Sequence, residues 1–129
     1  MTSDKEQIGQ SEAEPEPEPE AEAEGRSPRS FVVWVSGDLD LDHSAELRSL
    51  LLDGVARAPR GTEVIVDLQN SSFCDSTGLN LLLAARELAF ESGKSITLAA
   101  PSHQMVRLLE ITGSSDLFGF GPAEQRWPR

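Results

Sequence analysis

Four short apolar runs, each parted from the next by a segment of helical periodicity, leave this chain few folds to adopt. The runs are "FVVWV" (31–35), "EVIVDL" (63–68), "SITLAA" (95–100) and "DLFGF" (116–120). Each is short, carries β-branched or aromatic residues, and is bounded by Gly, Pro, Ser or Asp, as strands are. "EVIVDL" is apolar on consecutive positions, so both faces of that strand are expected to be covered. In "DHSAELRSLLLDGVARAP", Leu47, Leu50, Leu51 and Val55 recur at helical spacing, with Asp42 or Ser44 as N-cap and Pro59 and Gly61 as the stop. A second helix is expected after Asp75, burying Leu79, Leu82, Leu83, Arg86 and Leu88 to Phe90 and ending at Gly93. A third starts at Pro101 and Ser102, runs through Met105, Leu108, Leu109 and Thr112, and closes at Gly113. Strands alternating with helices predict an α/β fold: a mixed, mostly parallel sheet of four to five strands packed with helices.

A chain of 129 residues suffices for one domain. Residues 1–30 hold nine acids against three bases, and so carry more than half of the net charge of −11. The segment "SEAEPEPEPEAEAEG" alternates Glu with Pro or Ala and has almost nothing to bury. Residues 1–29 are therefore expected to be a disordered acidic tail that solubilises or spaces, with the folded domain over residues 30–129. Neither part has a basic stripe, which argues against direct binding of nucleic acid. Cys74 is the only cysteine, so no intrachain disulfide can form. The N-terminus is acidic and no apolar run reaches membrane-spanning length, so neither a signal peptide nor an anchor is expected, and a cytoplasmic protein is.

The stretch "FCDSTGLN" carries the chemistry that needs explaining. Asp75 reads as the N-cap of the second helix, its carboxylate accepting the backbone N–H of Thr77 or Gly78. Cys74 before the cap and Leu79 after it have the spacing of a hydrophobic staple. Ser76 is then the first helical residue, where the partial positive charge of the helix start favours an added phosphate. Gly78, lacking a side chain, leaves room for a close approach by another protein. On these residues alone the turn is either a plain cap or a modification site. Catalysis finds no support, because no base pairs with Ser76 in the sequence. His43 and His103 both lie near helix starts and read as surface or capping residues.

"FCDSTGLN" after an apolar strand, with "VSGDLDLDHSAEL" upstream and "ITGSSDLF" near the end, resembles the STAS domain of bacterial anti-sigma-factor antagonists. The resemblance spans roughly residues 31–121. It implies a non-enzymatic partner switch without a cofactor or metal. The unmodified antagonist would bind an anti-sigma factor, itself an ATP-dependent serine kinase, and free a sigma factor. Phosphorylation at Ser76 would weaken that complex, and a phosphatase would restore it. The resemblance places the partner surface at Gly37, Asp38, Asp40, Asp75, Ser76, Thr77 and Gly78. The sequence departs from the family at its two ends. "GRSPRS" and the acidic tail stand where the family has an opening strand, and "PAEQRWPR", one short turn at most, replaces a longer final helix.

Two other readings compete. "GDLDLD" clusters three carboxylates after a strand and Asp75 lies after another, as in an enzyme or a phospho-aspartate receiver, and such clusters can bind magnesium. Such a receiver also needs a lysine after a late strand, where this chain has Pro101 and Ser102. The other alternative keeps the fold but makes the chain a STAS subunit of a transport or stress-sensing complex, without a phosphorylation switch. The blander versions of two features are preferred throughout: Asp38, Asp40 and Asp42 as a solvated turn and cap, and Cys74 as a small buried residue without a redox role.

Overall fold

The computed structural model describes residues 30–124 and arranges four strands side by side in chain order: β1 (Ser30–Ser36), β2 (Glu63–Asn70), β3 (Ser95–Ala99) and β4 (Gly119–Gly121). All three described pairings are parallel, as the alternation of strands and helices predicts. Helices α1 (Ser44–Arg57), α2 (Ser76–Glu91) and α3 (His103–Ile111) make the connections. The acidic tail expected over residues 1–29 lies outside the described residues, as do the last five positions. Among the described residues no helix is long and apolar enough to cross a membrane.

Strand register sorts the side chains into two faces. Val33, Val66 and Leu98 lie side by side on one face and are packed with Leu47, Leu51 and Val55 of α1 and Leu79, Leu82, Ala85 and Ala89 of α2 into a single core. On the other face stand Trp34, Asp67 and Ala99. Val64 through Leu68 are all buried, so β2 is covered on both faces as its continuous apolar run requires. Asp67 is fully buried there. Its carboxylate accepts from the Gln69 N–H at 3.0 Å, the Gln69 Nε2 at 3.1 Å and the Glu124 N–H at 2.7 Å. The segment after β4 thus returns across the sheet and satisfies a carboxylate that would otherwise be costly to bury.

The helices differ from the sequence expectation in detail. Leu50 is 41 % exposed and not a core residue. Helix α1 meets β1 at Gly54 instead, where an added Cβ would stand 2.6 Å from Val33 Cγ2. Phe90 is 73 % exposed, because the small Ala85 and Ala89 occupy the sheet-facing positions of α2 and Phe90 lies one step round the helix. Neither Asp42 nor Ser44 caps α1. A 3₁₀ turn over Leu41–His43 precedes that helix, and Asp40 caps the turn by accepting from the His43 N–H. The third helix starts on Ser102, which accepts from the Met105 N–H at 3.2 Å, and Gly113 with φ +73° ends it. In "DLFGF" only the last two residues are strand. Ser115–Leu117 form a 3₁₀ turn whose Leu117 carbonyl is taken by Arg86 Nε at 2.8 Å, and pairing with β3 begins at Gly119. Pro122 to Glu124 carry no helical turn, and the rest of "PAEQRW" lies outside the described residues.

Candidate functional site

Two turns meet at one end of the sheet, and Leu39 joins them. Gly37, at φ +91°, takes the chain away from β1 and donates its N–H to the Asn70 carbonyl at 3.2 Å. Leu39 then donates to the Phe73 carbonyl at 2.8 Å and accepts from the Asp75 N–H at 3.0 Å, an isolated parallel bridge opposite Cys74. Its side chain is fully buried. Helix α2 starts against the same residue. A Cβ on Gly78 would stand 2.2 Å from the Leu39 carbonyl oxygen. Gly78 is buried, so the space left by its missing side chain is filled by this chain's own Leu39 and not left open for another protein.

Asp75 ties the two turns together. Its Oδ1 accepts from the Gly78 N–H at 3.0 Å and caps α2, and its Oδ2 accepts from the Leu41 N–H at 3.3 Å. Cys74 and Leu79 are both buried in the core on either side of that cap, as a staple requires. Ser76, the first residue of α2, is exposed, and among the described residues no hydrogen bond holds its hydroxyl. The hydroxyl stands where the unsatisfied N–H groups of the helix start favour negative charge. Thr77 is half-buried and lines, with Arg48 and Asn80, an open groove of about 400 Å³ between α1 and α2.

The remaining acidic residues separate rather than converge. Asp38 accepts a long hydrogen bond of 3.5 Å from Ser72 Oγ, and Asp42 is exposed. Asp40 holds His43, accepting from its N–H at 3.1 Å and meeting its Nδ1 at 2.6 Å. That hydrogen bond, reinforced by the carboxylate's charge, raises the His43 pKa above the ordinary 6.5. Among the described residues no three His, Cys, Asp or Glu side chains gather as a metal ion would need. His43 is the surface residue at the N-cap position of α1, and His103, also exposed, is the first residue of α3. Burial, and then the charge of Asp75, push the Cys74 thiol up to about 12, so it stays protonated at neutral pH and is a poor nucleophile.

Three residues of the site have no role in the sequence reading. Leu41 and Phe73, 67 % and 43 % exposed, flank the Asp75 turn as apolar side chains in water. Gln104, from α3, holds both backbone groups of Cys74. The exposure of Leu41 follows from the 3₁₀ turn, which no periodicity announces. Gln104 is separated from Cys74 by thirty positions and follows a helix cap like any polar residue of a first turn.

Comparison with known proteins agrees with this architecture. Residues 22–119 match the family described as "Mlab, STAS domain". The anti-sigma-B factor antagonist of Staphylococcus aureus (strain NCTC 8325 / PS 47) is 33 % identical over 87 residues, covering 67 % of this chain and 79 % of that protein. Among solved structures, the anti-sigma factor antagonist SpoIIAA in its unphosphorylated form superposes with a TM-score of 0.58 at 19 % identity, covering 77 % of this chain and 84 % of its own. A sulfate transporter family protein from Wolinella succinogenes gives a TM-score of 0.59 at 18 % identity, over 71 % of this chain and 75 % of its own. At such identities the two structures speak for the fold alone. The parallel sheet, the Asp75-capped turn and the family match over most of the chain together place this protein in the STAS domain family.

Proposed function

We propose that this chain is a non-enzymatic anti-sigma factor antagonist of the cytoplasm. Unmodified, it binds an anti-sigma factor that is an ATP-dependent serine kinase, and so releases a sigma factor. Phosphorylation at Ser76 switches it off, and a phosphatase acting on that residue restores it. The observation that carries this reading is the Ser76 hydroxyl: exposed, without a hydrogen bond, and held at the first position of a helix whose start is fixed by Asp75 and Leu39. The name of the Staphylococcus aureus relative supports the antagonist role. In this reading the partner surface is formed by Gly37, Asp38, Asp40, Asp75, Ser76 and Thr77, with Leu41 and Phe73 adding apolar area. Gly78 serves it from beneath, by letting the two turns touch.

Magnitudes favour a modification inside the interface. A phosphate of about two negative charges, roughly 6 Å from one partner carboxylate, costs about 1.4 kcal/mol at the dielectric of water and about 5.5 kcal/mol at an effective value of ~20. The first weakens a complex about tenfold and the second about ten thousandfold. Ser76 lies among the residues that would be covered, where the larger figure applies.

The test is a pull-down from native lysate in ADP, comparing wild type with Ser76→Asp and Ser76→Ala. A small ATP-binding kinase is expected on the wild type and on Ser76→Ala, with retention at least tenfold lower on Ser76→Asp. That kinase is expected to label the wild type and not Ser76→Ala; labelling of Ser76→Ala at the wild-type rate removes Ser76 as acceptor. Capture of a membrane transporter by all three forms would favour the alternative of a transport subunit without a phosphorylation switch.

A further inference from the structure

A backbone stretch that presents a functional residue has to satisfy its own N–H and C=O groups on both sides. Among the described residues, residues 73–75 have a backbone partner on one side only. Leu39 takes the Phe73 carbonyl and the Asp75 N–H, which leaves the two backbone groups of Cys74 pointing the other way, where no described strand pairs with them. One side chain takes both. The Cys74 N–H donates to Gln104 Oε1 at 2.8 Å, and Gln104 Nε2 donates to the Cys74 carbonyl at 2.7 Å. A primary amide offers a donor and an acceptor in one plane, as a peptide group does, so Gln104 acts as a single residue of an absent strand. Its own position is fixed. It is the second residue of α3, whose first turn is capped by Ser102 and anchored by the buried Met105.

We propose that Gln104 is the positioning residue of the switch: by gripping Cys74 on both backbone groups, it sets the direction in which Ser76, two residues on, is offered to the kinase. For its function this rests on the Ser76 reading; for its geometry it does not. Helix α3 thereby becomes part of the site although none of its residues belongs to the motif.

The test uses the full chain, followed by amide exchange and backbone NMR. Gln104→Leu keeps the bulk and removes both bonds, so exchange at Cys74 is expected to speed up about tenfold or more, with shifted signals at Ser76, Thr77 and Gly78 and none at Val66. The captured kinase is expected to bind this variant about tenfold more weakly. Gln104→Glu keeps the acceptor for the Cys74 N–H but has a donor for the Cys74 carbonyl only when protonated, so its Ser76 signals are expected to lie between wild type and Gln104→Leu at about pH 8 and to approach wild type as the pH falls through about 4.3. Wild type run over the same range corrects for the other charged groups of the elements that meet here, Asp75, His103, Arg107, Glu110, Asp40, Asp42 and His43 among them. Unchanged exchange at Cys74 in Gln104→Leu overturns the grip. If that variant does not fold, a pH-independent spectrum of Gln104→Glu overturns it instead. Altered exchange with unaltered kinase affinity overturns the positioning role. A wild type that captures no kinase defeats the Ser76 reading alone and leaves exchange at Cys74 to decide the grip.

Discussion

Helices α1 and α2 start side by side and are begun in opposite ways. Helix α1 is entered through a 3₁₀ turn whose cap is local: Asp40 accepts from His43, three residues ahead, His43 at the N-cap position makes no side-chain cap, and the turn's remote bond is the one from the Leu41 N–H to Asp75. Helix α2 is entered abruptly from extended backbone, and its cap Asp75 is tied to remote parts of the chain, with its N–H on Leu39 and its second carboxylate oxygen on Leu41. Cys74 before it is held by Gln104. A start secured by long-range contacts cannot fray without disturbing the core, whereas one secured by its own turn can. The difference accounts for where the exposed hydroxyl sits. In the proposed switch, a residue offered to a kinase needs a free side chain on a fixed backbone, and the second helix supplies both.

The hardest way to break this contrast is to separate the two turns. Gly78→Ala puts a Cβ against the Leu39 carbonyl, a backbone atom that cannot swing aside. The gain in helix propensity, about 1 kcal/mol, is expected to be outweighed by overpacking. The net loss should be about 1–2 kcal/mol, read from the shift of the urea midpoint at unchanged slope. Gly54→Ala is the control, since its clash is with a side-chain carbon of Val33 and not with backbone. It should cost less, and equal losses at the two positions would mean that the Leu39 contact is not special.

An effect no larger separates the caps. Asp75→Ala removes the acceptor from the Gly78 and Leu41 N–H groups together, and should cost about 1–2 kcal/mol. Asp40→Ala removes an exposed local bond and should cost under about 1 kcal/mol. Urea denaturation of the two variants ranks them, and a reversed order would dissolve the distinction between a remote and a local cap.

Legibility in the sequence follows the same division. Local contacts were readable: the cap Asp75, the cap Ser102, the turn at Gly37 and the run Val64–Leu68 each follow from neighbouring residues. The three-dimensional partners were not. Gly78 suggests a surface left open, but only the fold reveals Leu39 in that space. Leu50 and Phe90 have the right period and the wrong phase, because Gly54, Ala85 and Ala89 let the helices approach closely at small residues. Asp67 sits in an apolar run whose sequence gives no hint that the Glu124 N–H will satisfy it, and Gln104 carries no mark of its two bonds to Cys74.

The finest distinction between the helix starts is chemical: the first titrates. His43 is exposed and has its pKa raised above 6.5 by the hydrogen bond its ring makes to Asp40 and by that carboxylate's charge. A histidine raised in the folded state binds its proton more tightly there than in the unfolded chain, so the pair's stabilising contribution is complete below the ordinary value of 6.5 and lost as pH rises through the raised one. Because the ring is in water, the effect on global stability should be slight and weakened by salt. It is best read at the residue. The His43 ring signals in wild type are expected to titrate above 6.5, and Asp40→Asn to bring the midpoint down. The amide of Ser76 should move little over the same range, since its helix is capped by Asp75 through bonds that do not involve the ring. A Ser76 signal that followed the His43 titration in full would show the two starts to be coupled, and the contrast between them would have to be replaced by a single jointly held turn.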